Sequence, residues 1–273
     1  MTNITELLRS RYGTRPFELE SEWNDCLKTI LAHRSIRGYL PDRVPPKTLE
    51  LIVAAGQSAS TSSNLQTWSV VAVEDPERKA KLSELAGNQA HIRQCPLFLV
   101  WLADLARLAD IADSRGLPRE ALDYLEMFVT ATIDAALAAQ NAAIFAESKG
   151  LGMVYIGGIR NHPEEVAKLL GLPPLVFATF GMCVGYPDPA KITAVKPRLP
   201  QSAVLHRETY QLAAQTEAIA LYDGVMKDFY AAQKMPVDGD WSEHSVRRIA
   251  TVASLSGRDR LREVLKNLGF QLR

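Results

Sequence analysis

Residues 120 to 149, EALDYLEMFVTATIDAALAAQNAAIFAESK, carry the longest helical pattern in the chain, and apolar side chains take up most of its circumference. The pattern closes at Lys149-Gly150, a cationic last turn followed by a residue suited to a left-handed cap. Its alanine density is the strongest constraint on the fold. Side chains one carbon long let neighbouring backbones come close, so this helix belongs at the centre of a packed layer or at a subunit interface.

The elements around it alternate. CPLFLVWLAD, residues 95 to 104, is apolar on both alternations, as a strand buried on both sheet faces must be, and LVFATFGMCVGYP, residues 175 to 187, reads the same way. WSVVAV before Asp75-Pro76 and MVYIGGIR from Met153 read as further strands. Helices are expected over residues 24 to 33, over VPPKTLELIVAAGQSAS with Pro46 in its first turn, and over RKAKLSELAG closed by Gly87. HPEEVAKLLGLP, between Pro163 and Gly171, reads as another. From about residue 205 the chain turns helical and polar, and it shows no internal repeat or long linker. Taken alone, the alternation of strands and helices suggests a parallel α/β sheet.

Composition narrows the partners. The 273 residues are 47% hydrophobic and 23% charged, ordinary for one large globular domain. Lysine plus arginine and aspartate plus glutamate each number 31, so no global field draws the protein to nucleic acid or to an anionic membrane. The polar start MTNITELLRSRYGTRPFELESEW lacks the apolar core of a secretory signal. No apolar run approaches the ~20 residues of a membrane span, and a cytoplasmic location is expected. Cys26, Cys95 and Cys183 form no CxxC pair and read as solitary, mostly buried thiols, and the five histidines show no metal-ligand spacing, so no metal site is expected. Walker A and GxSxG sequences are lacking. GLGMVYIGG places its first glycines after a helix and before a strand, the reverse of the order a Rossmann pyrophosphate site needs.

Two basic clusters remain. LAHRSIRGYLPDR sets His33, Arg34, Ser35 and Arg37 at a helix end, a composition suited to an anion, although arginines there also complement a helix dipole. VKPRLP sets Lys196 and Arg198 on either side of a stiffening Pro197. A phosphate dianion needs more than one cation and several donors, and the two clusters together could supply them.

The ordered series HRSIRGY, STSSNLQTW, GNQAHI, GLGMVYIGGIRN, FGMCVGYP and KPRLP resembles the nitroreductase family of FMN-dependent oxidoreductases. The likeness is nearest to the branch of NADPH nitroreductases and luminous-bacteria flavin reductases. It runs in register over about residues 28 to 232 and more loosely through WSEHSVRR to the end.

That resemblance implies an α+β sandwich, a mainly antiparallel central sheet flanked by helices, in an intertwined homodimer with two FMN sites at the subunit interface. Residues 1–23 would then be an N-terminal extension and 24–273 the FMN-binding domain, with 205–273 as a helical excursion and tail. The echo of the basic motif in RYGTRPF is taken as coincidence. By the same resemblance His33, Arg34, Ser35, Lys196 and Arg198 would hold the ribityl phosphate, and Arg37 would approach the N1 and O2 edge of the ring. Thr61, Gln89 and His91 would contact the flavin, Gln89 at the pyrimidine edge. Tyr155, Ile156, Gly157 and Gly158 would line the ring, where a missing Cβ allows close approach.

The implied activity is a ping-pong transfer of hydride from a reduced nicotinamide to an electron-poor acceptor such as a nitroaromatic or quinone. Arg37 would tune the flavin, with no acid or base required of the protein. Free flavin or a specialised halogenated or unsaturated compound is an alternative acceptor, and a non-redox FMN-binding module is an alternative class. NADPH-using relatives carry an arginine where this chain has Gln233; Lys234 offers only a point charge, and Asp238 and Asp240 would repel a phosphate. NADH therefore stands beside NADPH as donor. Asn64 replaces an aromatic often found beside the acceptor, which leaves acceptor preference open.

Overall fold

Leu97–Asp104 is buried at every position in the computed structural model, which describes residues 4–13, 23–191 and 193–273. In chain order the elements are α1 (Ile4–Tyr12), α2 (Asp25–Ala32), α3 (Pro46–Gln57), β1 (Trp68–Val73), α4 (Pro76–Leu85), α5 (Ala90–Gln94) and β2 (Leu97–Asp104). They continue with α6 (Ala106–Arg115), α7 (Leu125–Ser148), β3 (Gly152–Ile156), α8 (Pro163–Leu170), β4 (Val176–Gly185), α9 (Thr216–Ala232), α10 (Trp241–Arg247) and α11 (Leu261–Asn267). By contact the chain divides into two units, Met1–Arg34 with Thr193–Leu255, and Ser35–Ile192 with Ser256–Arg273.

The larger unit holds a four-stranded sheet in the order β1-β2-β4-β3, antiparallel at each pairing. The parallel sheet suggested by alternation is thus replaced by the antiparallel one the resemblance implied. Hydrophobic period reveals how a strand is buried, but not whether the intervening helices return the chain to the same end. Strand β2 shows the double burial directly. Phe98, Val100 and Leu102 enter one core with Leu82, Ile92 and Val166, while Leu97, Leu99 and Trp101 enter another with Ile52 and the alanines of α7.

Helix α7 begins later than its pattern. Residues Glu120–Asp123 form a 3-10 turn and Tyr124 is extended at φ −92°, ψ 148°, so the α-helix starts at Leu125. The break is held by backbone pairing with the end of the chain, Arg273 N–H to Asp123 O at 2.9 Å and Leu125 N–H to Arg273 O at 3.2 Å. The helix is apolar and long enough to cross a bilayer on length and composition. Its Ala135, Ala138, Ala139, Ala142 and Ala146 are nevertheless fully buried, which makes it a core helix of this unit.

Strand β3 also stops short, at Ile156, and Gly157–Arg160 forms a 3-10 turn. Between Trp101 and Leu102 the β2–β4 register shifts, leaving Thr179 as the extra residue of a bulge. Its hydroxyl donates to Trp101 O at 2.7 Å, and its carbonyl accepts from the Arg160 guanidinium. Arg160 thus closes a ladder carbonyl the strand left open. The polar helix α6 has no counterpart in the sequence reading. It ends at Gly116, at φ 62°, a conformation that favours glycine.

Cys95 and Cys183 are buried neighbours, not solitary thiols. Burial, and next a hydrogen bond with the Cys95 thiol, push the Cys183 thiol well above its ordinary range.

In the smaller unit α1 packs Ile4, Leu7 and Leu8 against Leu31 of α2. A second cluster joins Tyr222, Met226 and Tyr230 of α9 to Leu199 and Trp241. Gly13, at φ +75°, ends α1 where a Cβ would stand 2.5 Å from Val225 Cγ1.

Candidate active site

The smaller unit gathers four of the expected anion-binding residues. Helix α2 is capped at its start by the Asn24 side chain, which accepts from Leu27 N–H at 2.9 Å, and gives way at His33 to an extended backbone. Arg34 is half-buried. Lys196 and Arg198 flank buried Pro197, whose carbonyl accepts from the Tyr222 hydroxyl at 2.9 Å. The Arg198 guanidinium donates to Lys196 O at 3.2 Å. The organiser of this group is Arg11, only 7% exposed, which donates to Leu31 O at 2.9 Å, His33 O at 2.8 Å and Lys196 O at 3.0 Å. Arg11 lies in the RYGTRPF stretch that sequence reasoning set aside. That stretch echoes the basic HRSIR motif, an echo the sequence reading took as coincidence.

In the larger unit Ser35 bridges Met153 in parallel, and Ile36 N–H donates to Met153 O at 2.9 Å, which fixes the segment carrying exposed Arg37 beside β3. Arg37 acts electrostatically on His91, whose proton affinity is lowered first by burial and then by that guanidinium. The His91 Nε2 is buried and has no hydrogen-bond partner among the described residues. Gln89, at the start of α5, donates from Nε2 to Ala86 O at 2.8 Å, leaving its amide oxygen for another donor. Ser83 braces the same turn by donating to Gln89 O at 2.9 Å and accepting from Arg93 Nη1 at 2.6 Å.

Two glycines there answer to different neighbours. A Cβ on Gly158 would meet Ala86 O at 2.5 Å and Gln89 Nε2 at 2.7 Å, so its glycine identity is required by packing on the Gln89 turn. The sequence argument had assigned that requirement to a ring. Gly157 has room; the nearest groups to its added Cβ are Arg160 Nη2 at 3.5 Å and Arg258 Nη1 at 4.0 Å. The Ile156 side chain is buried in the core, so this position can present only backbone. Tyr155 turns the other way, with its hydroxyl donating to Gln140 Oε1 at 3.4 Å and its ring edge-on to Phe180 at 5.3 Å.

Thr61 belongs to a loop built around one carboxylate. Asp134 of α7, 1% exposed, accepts from Thr61 Oγ1 at 2.6 Å, Ser62 N–H at 3.1 Å, Thr67 N–H at 3.2 Å and Thr67 Oγ1 at 3.1 Å. These bonds hold a segment in which Ser63, Asn64 and Gln66 sit at φ 48°, 55° and 53°, a costly region for non-glycine residues. The Thr61 hydroxyl is thereby committed to Asp134 and, as acceptor, to Gln66 N–H at 3.0 Å. Sequence reasoning missed Asp134. A lone carboxylate in the alanine-rich turn of a buried helix was its available signal.

The fold belongs to a recognised class. A pattern described as "Nitroreductase family" matches residues 30–186, and "Nitroreductase family, C-terminal domain" matches 196–273. This chain belongs to the nitroreductase family. It is 39% identical over 250 residues to an "FMN reductase (NADPH)" of Bacillus subtilis, covering 90% of this chain and 98% of the relative. It is 38% identical to an "Oxygen-insensitive NADPH nitroreductase" of Salmonella typhimurium, covering 81% and 89%. The solved structure of an NADPH:FMN oxidoreductase from Vibrio harveyi complexed with NAD+ superposes with a TM-score of 0.81 at 36% identity, covering 92% of this chain and 100% of the other.

Proposed function

We propose that this chain is an FMN-dependent NAD(P)H oxidoreductase that reduces nitroaromatics, quinones or related electron-poor acceptors. One observation carries the cofactor assignment: the buried, unpartnered Nε2 of His91, beside Arg37 and the half-satisfied Gln89 amide. A buried polar atom without a partner is a costly defect unless a ligand completes it. His33, Arg34, Ser35, Lys196 and Arg198 would hold the phosphate, a set rich in cations and donors. Arg37, Gln89 and His91 would face the polar edge of the ring, with the backbone of Ile156, Gly157 and Gly158, and Thr61 and Tyr155, beside it.

Bound FMN supplies hydride acceptance from a reduced nicotinamide and delivery to the acceptor. The protein binds and orients the group, and the Arg37 cation favours negative charge at the ring edge near it. With Arg37 close and its own proton affinity lowered, His91 stays neutral near pH 7 and offers Nε2 as a hydrogen-bond partner instead of a second cation. Gln233 uses its side-chain oxygen to accept from Ala194 N–H at 3.0 Å, which supports NADH as well as NADPH as donor. The names of relatives, FMN reductase and NADPH-flavin oxidoreductase, favour free flavin as a second acceptor.

The working form is a homodimer. Leu125, Val129, Ile133 and Leu137, each at least 42% exposed, form a stripe along α7 at four-residue spacing that a second copy would cover. Balanced charge and the supply of reduced nicotinamide fit a cytoplasmic enzyme without nucleic-acid or membrane partners.

Anaerobic titration of the purified protein with NADH and with NADPH tests the reading. The expected result is a yellow protein bleached by at least one donor and recoloured within seconds by a quinone or nitroaromatic. Flavin that stays oxidised with both donors would sink it.

A further inference from the structure

The family pattern begins at residue 30, yet α1, which precedes it, supplies the residue on which the proposed phosphate group is built. Arg11 donates to the carbonyls of Leu31, His33 and Lys196, and its own carbonyl accepts from Arg198 N–H at 2.8 Å. Three of the residues assigned to the phosphate, His33, Lys196 and Arg198, are therefore bonded to one buried side chain or its backbone. In a trans peptide the carbonyl and the following N–H point in opposite directions. Turning the His33 carbonyl toward Arg11 aims the Arg34 N–H the other way, and withdraws from any anion the partial negative charges that would repel it.

We propose that Arg11 is a positioning residue for the FMN phosphate: it fixes the 31–33 and 196–198 segments against each other and absorbs their carbonyl dipoles, so that their cations and the Arg34 N–H face the anion. The inference rests on the FMN reading above. It makes the N-terminal helix a working part of the site.

The test compares FMN, riboflavin and inorganic phosphate on the flavin-free full chain. Quenching of flavin fluorescence reports binding, and circular dichroism reports folding. Wild type is expected to prefer FMN over riboflavin and to lose FMN to added inorganic phosphate. Arg11→Gln should weaken FMN about tenfold to a hundredfold and leave riboflavin unchanged, since several charge-assisted bonds orient only the phosphate end. Arg11→Lys should recover part of the loss, because an ammonium keeps the charge but not the fork. An unchanged FMN-to-riboflavin ratio in Arg11→Gln would overturn the proposal, as would equal weakening of both ligands. If Arg11→Gln does not fold, a wild-type ratio in Arg11→Lys does the same. A wild type that binds FMN and riboflavin equally would instead remove the phosphate reading itself.

Discussion

Two buried charged side chains, one in each unit, organise candidate site residues of their own unit, and they do so with opposite polarity. In the smaller unit the Arg11 guanidinium collects three carbonyls; in the larger unit the Asp134 carboxylate collects two N–H and two O–H groups. The difference decides what each can tolerate. A carbonyl has two lone pairs and survives partial satisfaction, whereas a buried N–H has one bond to make and is rarely left without it. The larger unit also holds three left-handed residues in the loop that Asp134 closes, while nothing comparable strains residues 31 to 33. Asp134 should therefore govern stability, and Arg11 should govern the ligand.

The largest effect that can break this contrast is Asp134→Ala. It strands donors at Thr61, Ser62 and Thr67 and is expected to cost about 3 kcal/mol or more in urea unfolding. Amide exchange should accelerate at Ser62 and Thr67; a loss below about 1 kcal/mol would show that the loop finds other partners. Next comes Gly158→Ala, which forces a methyl onto Ala86 O and Gln89 Nε2 and should cost about 1–3 kcal/mol by the same unfolding measurement. Wild-type stability there would mean that the Gln89 turn can yield.

Arg11→Gln is expected at about 1–2 kcal/mol, less than Asp134→Ala although it too removes a buried charge. The reverse order would refute the argument from carbonyl tolerance. His91 sharpens the comparison through pH. Its folded proton affinity is lowered, so between the folded value and the usual ~6.5 the unfolded chain binds the proton better. Its contribution is fully present above about pH 6.5 and is lost as pH falls through the folded value. Denaturation at stepped pH should show that slope in wild type and lose it in His91→Gln. Tyr155→Phe gives up only a long, partly exposed bond to Gln140 and should change stability by at most about 0.5 kcal/mol.

Much of the architecture was legible because burial leaves a periodic trace. Strand β2, the α7 core and the glycine or proline ends of α3 and α8 could be read from spacing alone. Strand direction could not, since it is a property of connections. Tyr124 broke a helix that periodicity carried through, because the pairing partner that holds it, Arg273, lies far along the chain. At the site, cations announced themselves by clustering. Asp134 did not, since it is a single carboxylate whose donors, at Thr61, Ser62 and Thr67, lie far from it in sequence, and the role of Arg11 comes from backbone carbonyls that any sequence would provide. At Gly158 the neighbours that a Cβ would meet, Ala86 O and Gln89 Nε2, were not legible, because a missing Cβ says only that something is close.

The alanines of α7 carry a consequence for how such a chain can change over time. Ala131, Ala135, Ala138, Ala139 and Ala142 have no exposed surface, so even one added methyl there requires neighbouring backbones to retreat. Leu125, Val129, Ile133 and Leu137 on the same helix face no such limit within the chain. In a saturation library selected for folded protein, substitutions should drain from the first set and accumulate in the second, so that one helix records two rates of drift along alternate sides.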